Sequence, residues 1–152
     1  MVKNSNASKI SAESTYLGFD FGNKKIGVAV GQLLTGTASP LQTIFSINQK
    51  PDWQKITNLV EEWQPGGMVV GLSHQDNGKD NPITPKMLKF CRQLEGRYRL
   101  PVFTMDEKLS TFEAKQLLFD DIGVNAAKLW QVQDQLAAQL ILQSWLNEQA
   151  LK

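Results

Sequence analysis

Short apolar runs of strand length open this chain and then alternate with segments of helical spacing, and this order limits the folds open to it. Residues Thr15–Phe21 and Ile26–Val30 are predicted to form a hairpin around the Gly22–Asn23 turn. A third extended segment covers roughly residues 39 to 47. Because hairpin strands run in opposite directions, the sheet must begin with antiparallel pairing.

The remainder of the chain alternates helix and strand. Four segments carry the patterns: residues 53–63 and 84–98 as helices, and residues 68–72 and 101–105 as strands. Ser110 and Glu113 fit a capping box for a helix to about Phe119, and a last helix covers roughly residues 126 to 148. Strands joined through helices pair parallel, and their helices cover the faces of the sheet.

These elements predict an α/β fold, with a five-stranded mixed sheet and helices on both faces. Residues 15–152 are expected to form a single domain, and residues 1–14 a flexible polar tail without the apolar stretch of a secretion signal. At 152 residues the chain can bury a real core. Since no apolar run approaches the ~20 residues of a membrane-spanning helix, we expect a cytoplasmic protein with no membrane partner.

The residue counts restrict the chemistry. A single cysteine and a single histidine exclude an internal disulfide and a zinc site built on paired cysteines or several histidines. A metal would need carboxylate ligands, which favours hard cations such as Mg²⁺ or Mn²⁺. The net charge of +1 excludes nucleic-acid binding by bulk charge, so that any such binding must come from a local patch.

Two carboxylates stand in apolar surroundings. Asp20 lies in a strand between two phenylalanines, and Asp134 lies on a stripe of the last helix that contains Ala137, Ala138 and Ile141. A carboxylate there loses hydration unless it has a partner. Asp20 is either a site residue or an ordinary turn residue, and Asp134 is either a site residue or bonded to a backbone amide or a lysine.

Asp106 and Glu107 lie at the end of a strand, where ligands gather in sheets of this kind. Neighbouring strand residues face opposite sides, so only one of the two should point into a site. The other is expected to be a structural hydrogen-bond acceptor. Three carboxylates brought together would repel each other unless a divalent cation lies between them.

These residues fall within four segments that resemble one family. The segments are DFGNKKIGVA at residues 20–29, VVGL at 69–72 with the Asn77–Gly78 turn, DEKLST at 106–111, and DQLAA at 134–138. Together they resemble the YqgF family, also called RuvX. These are Holliday-junction-resolvase-like proteins with a ribonuclease-H-type fold, regarded as pre-16S rRNA nucleases.

The resemblance implies a ribonuclease-H-like sheet with the first strand central and an acidic triad of Asp20, Glu107 and Asp134. These residues would bind a pair of Mg²⁺ or Mn²⁺ ions for phosphodiester hydrolysis. The implied function is processing of the 5′ end of pre-16S rRNA, with ribosomal precursor particles as partners. Lys108 stands where the family usually has Arg, and Ser73 where it usually has Pro.

Four residues are candidates for nucleic-acid contacts. Lys24 and Lys25 follow the first strand and either contact the nucleic-acid backbone or are solvated turn lysines. Lys108 and Thr111 lie at a predicted helix N-terminus, where they either bind a phosphate or simply cap the helix. Cys91 lies on an apolar helix stripe and is predicted to belong to the core.

Other functions remain open at this point. The protein would be a Holliday-junction resolvase acting on DNA if it forms a two-fold dimer, whereas an RNA nuclease acts as a monomer or weak homodimer. A catalytically inactive nucleic-acid-binding module is a further alternative. The Asp-x-Gly hairpin also resembles the phosphate loop of actin-like ATPases, but those enzymes close two such domains over the nucleotide, and this chain supplies one.

Overall fold

The computed structural model describes residues 14–22, 24–72, 83–105 and 126–150. Its elements in chain order are β1 (Thr15–Phe21), β2 (Lys25–Gln32), β3 (Thr37–Phe45), α1 (Trp53–Trp63), β4 (Gly67–Leu72), α2 (Ile83–Tyr98), β5 (Val102–Met105) and α3 (Ala126–Ala150). The five strands form one sheet in the order β3-β2-β1-β4-β5. The β1–β2 and β2–β3 pairs are antiparallel, and the β1–β4 and β4–β5 pairs are parallel. The predicted mixed sheet with β1 at its centre is confirmed.

The third strand lies two residues earlier than predicted. β2 continues to Gln32, whose register partner is Thr37, and the turn between them includes Gly36 with a φ of 69°. At the other end of β3, Ile47 and Lys50 exchange backbone hydrogen bonds around Asn48 and Gln49. Both of these central residues have positive φ values, 53° and 67°. The strand is therefore followed by a tight turn that contains no glycine, so the sequence carries no glycine signal for this turn.

The two faces of the sheet have separate cores because strand side chains alternate. Leu17, Phe19 and Phe21 of β1 belong to a cluster with residues of α1 and α2. Tyr16 belongs to the opposite cluster, which contains Trp145 and other residues of α3. The Tyr16 and Trp145 rings lie 4.8 Å apart between their centroids. Helices therefore cover both faces, as predicted, and Asp20 falls on the α3 face by alternation.

Glycines on three strands allow α3 to lie unusually close to the sheet. An ideal Cβ at Gly18 would lie 2.7 Å from the Leu142 Cβ, and one at Gly27 only 1.9 Å from the carbonyl oxygen of Asp134. Ala137 and Ala138 are buried on the same stripe of the helix. Helix α3 therefore packs closely on the sheet, and at Gly27 the contact involves the backbone of the helix rather than only side chains.

Glutamines of α3 satisfy polar groups of the edge strand β3 and of the turn before it. Gln139 donates to the Ala38 carbonyl at 2.9 Å, while Gln143 accepts from the Ala38 amide and donates to the Gly36 carbonyl. Bonds of this kind cover part of an edge that would otherwise be open to pairing with another chain. They also fix the position of α3 along the sheet.

Some predicted elements lie outside the described residues: the helix over residues 110–119 and the first thirteen residues of the tail. Ser14, the last tail residue, accepts a backbone hydrogen bond from Leu33 at 3.4 Å. Within the described ranges, none of the helices is long and apolar enough to cross a membrane.

The contact at Gly27 leads to a prediction about the stability of the fold. Gly27→Ala is expected to lower the free energy of unfolding by about 3 kcal/mol, because the added methyl group would overlap the backbone of α3. Urea unfolding followed by circular dichroism measures this change.

Gly96→Ala provides the matched control. Gly96 lies within α2, and a Cβ there would meet nothing within 4 Å. Because alanine favours a helix over glycine, this variant should gain about 0.5–1 kcal/mol. Equal stabilities for the two variants would contradict the close approach of α3 to β2.

Candidate active site

The ends of several strands meet at one edge of the sheet. β1, β4 and β5 run parallel, so Phe21, Leu72 and Met105 end at this edge. The antiparallel strand β2 begins there with Lys25, opposite Phe45 at the end of β3. Ligands of mixed and parallel sheets gather outside such carboxyl ends. A ligand site is therefore expected at this edge.

Asp20 occupies the central strand one residue from the edge. Its neighbours across the sheet are Gly27 on β2 and Gly71 on β4. An ideal Cβ at Gly71 would lie 2.4 Å from Ile141 of α3, so that helix covers this row closely. Asp20 is only 9% exposed and is the one buried charged side chain within the described ranges. A row of glycine, aspartate and glycine under a helix leaves one carboxylate at its centre.

Asp134 reaches the same part of the sheet from α3, and the region around Asp20 and Asp134 is here called the carboxylate corner. An ideal Cβ at Gly27 would lie 2.9 Å from the Asp134 Cβ, which places this residue directly over the position opposite Asp20. Neighbouring strands are about 4.8 Å apart. The structure thus brings two of the three predicted carboxylates, Asp20 and Asp134, onto adjacent positions of one face.

Lys25 supplies a counter-charge to Asp134. Its Nζ lies 3.0 Å from Asp134 Oδ2, with the two side chains 30% and 19% exposed. Lys25 is the first residue of β2 and is partly buried, whereas Lys24 precedes the strand and is exposed. The structure therefore shows the lysine partner that the sequence analysis gave as one of the two alternatives for Asp134.

The donor set is suited to a hard cation. Asp134 Oδ2 is buried and, despite its ion pair, accepts no hydrogen bond of good geometry from the described residues. An oxygen in that position can serve as a cation ligand. Within the described ranges no group of three or more metal-ligating side chains occurs. Glu107 lies outside those ranges, together with Asp106, Lys108 and Thr111.

Phe45 is a candidate for contact with a ligand at this edge, and the sequence analysis did not identify it. It pairs with Lys25 in the sheet, and its side chain is 61% exposed. Alternation from the buried Ile44 places Phe45 on the α3 face beside the carboxylates. Exposed aromatic rings stack on unpaired bases. The missed signal was an aromatic residue that ends a strand immediately after a buried isoleucine.

Cys91 belongs to the α2 side of the core, as predicted. It packs against the main cluster, and its Sγ lies 3.6 Å from Met87 Sδ. Burial raises the pKa of the Cys91 thiol to about 11, so the thiol is neutral and poorly nucleophilic at neutral pH. Ser73 and His74 lie outside the described residues.

Comparison with solved structures defines the class of fold. Thermus thermophilus RuvC in complex with a Holliday junction is 17% identical, with a TM-score of 0.53 over 85% of this chain and 92% of that one. The yeast mitochondrial Holliday junction resolvase Ydc2 is 17% identical, with a TM-score of 0.56 over 94% and 82%. This chain therefore has the fold of the ribonuclease-H-like resolvases.

Sequence comparison narrows the class to a family. The model of the RuvX family, described as Holliday junction resolvase, matches residues 14–148. A Methylococcus capsulatus protein named "Putative pre-16S rRNA nuclease" is 53% identical over 90% of this chain and 91% of its own length. A Yersinia enterocolitica protein of the same name is 44% identical over 91% and 99%. The chain belongs to the RuvX family, which confirms the resemblance found in its motifs.

The ion pair between Lys25 and Asp134 leads to a testable prediction. Lys25→Met is expected to lower the free energy of unfolding by about 1–2 kcal/mol in the presence of a chelator, because it leaves the Asp134 carboxylate without its counter-charge. Added Mg²⁺ should stabilise this variant more than the wild type, since a bound cation replaces the missing charge. Both effects are measured by urea unfolding.

Lys24→Met is the control because it removes the same charge from an exposed neighbour. Its stability should match the wild type within about 0.5 kcal/mol. Equal losses of stability in the two variants would contradict a stabilising interaction between Lys25 and Asp134.

Proposed function

We propose that this protein is a metal-dependent nuclease that hydrolyses phosphodiester bonds in structured RNA and processes the 5′ end of pre-16S rRNA. The single observation that carries this proposal is the convergence of Asp20 from β1 and Asp134 from α3 at the carboxyl edge of the sheet. These residues come from opposite ends of the chain. A divalent cation held between two neighbouring carboxylates relieves their mutual repulsion.

Asp20 and Asp134 would hold Mg²⁺ or Mn²⁺, and Glu107 is proposed as a further ligand because it belongs to the DEKLST segment that resembles the family. When bound, such ions activate a water and neutralise charge on the scissile phosphate. The protein itself positions the ligands, because Asp134 is fixed by the packing of α3 on Gly27. Phe45 offers a ring to an unpaired base beside the cleavage site, and Lys24 offers a charge to the backbone.

The RNA substrate is proposed from the names of the relatives. A DNA four-way junction is the second candidate, supported by the solved resolvases with this fold that hold Holliday junctions. Cutting two strands of a junction symmetrically requires a two-fold dimer, while a monomer suffices for RNA processing. Labelled pre-16S rRNA and four-way DNA junctions, incubated with the protein and Mn²⁺ or Mg²⁺, separate the two. The RNA function would place the protein in the cytoplasm with ribosomal precursor particles.

Replacement of either described carboxylate is expected to abolish cleavage. Asp20→Asn and Asp134→Asn should each lower the cleavage rate by at least about 100-fold, since even the outer partners of a metal ligand contribute 10–100-fold. RNA affinity should largely survive. Cleavage of labelled RNA and thermal unfolding are measured on the same preparations. In the chelated state, Asp20→Asn should melt at or above the wild-type temperature because one of several neighbouring negative charges is removed.

Glu61→Gln serves as the control because Glu61 is an exposed carboxylate of α1. Its cleavage rate should equal that of the wild type. Retained cleavage together with a lower melting temperature in Asp20→Asn would make Asp20 a structural turn residue and remove the basis of the proposal.

The register of β5 distinguishes the two acidic residues that follow it. Met105 pairs with Gly71 and packs on the α3 side. An extended chain that kept alternating past Met105 would bring position 107 to the face of Asp20. Glu107→Gln is therefore expected to abolish metal-dependent cleavage, whereas Asp106→Asn should retain it. If a well-folded Asp106→Asn is the inactive variant, the strand register breaks after Met105.

A further inference from the structure

A cavity of about 460 Å³ opens on the face of the sheet opposite α3. Its walls are the end of β1, the turn before α1 and one side of α2, and residues of all three line it. Cavities of roughly 300–1,000 Å³ hold small ligands or parts of larger ones. None of its lining residues belongs to the carboxylate corner, so this cavity is a second and separate feature.

The cavity concentrates positive charge. Four cationic side chains line it, Lys50, Lys86, Lys89 and Arg97, and no carboxylate does so among the described residues. The whole chain carries a net charge of only +1, with sixteen lysines and arginines against fifteen acidic residues. A local excess of this kind attracts anions, and several cations in one concave surface strengthen that attraction. The cavity is therefore suited to a phosphate-bearing ligand.

A stack of an aromatic ring and a guanidinium makes the cavity more specific than a simple anion site. The guanidinium carbon of the exposed Arg97 lies 4.1 Å from the centre of the Trp53 ring. Phe90 is only 1% exposed and supports the Trp53 ring from the core, with 5.6 Å between the ring centroids. Bases stack on aromatic rings and on guanidinium planes. An inorganic anion would need only the cations. The combination of cations and stacked planes is typical of a site for a nucleotide.

The cavity adjoins the carboxylate corner at the sheet edge. Phe21 and Gly22 form part of its lining, and Phe21 directly follows Asp20 on β1. Because consecutive strand residues face opposite sides, Asp20 serves one face and Phe21 the other. A nucleic-acid strand that passes around this edge would reach both.

We propose that the cavity binds a nucleotide from a single-stranded segment of the nucleic-acid substrate. The cations contact its phosphates, and the Trp53–Arg97 stack contacts its base. The inference rests on the proposed nuclease function for the identity of the strand, but the binding itself requires no cleavage. A free nucleotide shares the same chemistry, so the experiment must distinguish it from a strand.

The test compares two double variants of the full chain. Lys50→Gln with Lys89→Gln removes one charge from the turn before α1 and one from α2, both in the cavity. Lys55→Gln with Arg92→Gln removes one exposed charge from α1 and one from α2, both outside the cavity lining. The two variants therefore have the same net charge. Fluorescence anisotropy with chelator present measures the affinity for a single-stranded RNA oligonucleotide.

The cavity variant is expected to lose about tenfold in RNA affinity at physiological salt and to show a salt slope smaller by about 1.4, as for two lost phosphate contacts. The control variant should bind like the wild type. Equal losses in the two variants would overturn the proposal, because they would show attraction by bulk charge alone. Adenosine monophosphate bound as tightly as the oligonucleotide would overturn the strand assignment in favour of a free nucleotide.

Cleavage assays on the same variants separate this inference from the proposed function. Cavity-dependent RNA binding without any cleavage by the wild type would refute the nuclease while supporting the cavity. Wild-type cleavage with RNA affinity unchanged in the cavity variant would refute the cavity while supporting the nuclease.

Discussion

The contact between the backbone of α3 and Gly27 of β2 is the constraint on which the rest of the site depends. No side chain fits between the Gly27 Cα and the Asp134 carbonyl. Close approach to the helix recurs at Gly18, where an added Cβ would lie 3.2 Å from the Ala138 carbonyl oxygen, about one helical turn after Asp134. Helix and sheet are thus locked in one register. That register, rather than any local motif, brings Asp134 to the strand position opposite Asp20.

Charge balance explains how such a corner can exist in a folded protein. Two poorly hydrated carboxylates on one face repel each other and favour unfolding. Lys25 reduces this cost because its ammonium lies 3.0 Å from Asp134 Oδ2. It places a positive charge directly against one of the two carboxylates. A lysine at this position can therefore stabilise the metal-free protein without filling the site.

The sequence predicted the elements and their order well because those depend on local periodicity, as the stripe containing Asp134 on α3 illustrates. It could not assign roles to Lys24 and Lys25. Which of the two faces α3 depends on where β2 begins, and strand pairing decides that. The end of β3 was misplaced because Asn48 and Gln49 form the turn in a backbone region that glycine usually occupies. The sequence analysis could not identify the cavity, because segments that are far apart in the sequence form its walls.

Strand alternation gives the carboxyl edge two distinct surfaces. Asp20 and Phe21 are adjacent in the chain, yet one faces the carboxylate corner under α3 and the other the cation-lined cavity beside α2. A near-neutral chain gains little from long-range attraction to a polyanion. Under the proposed function, selectivity for nucleic acid would come from surfaces that act together over a short distance. Carboxylates on one face and cations on the other would meet that requirement, because a strand bound across the edge would contact both.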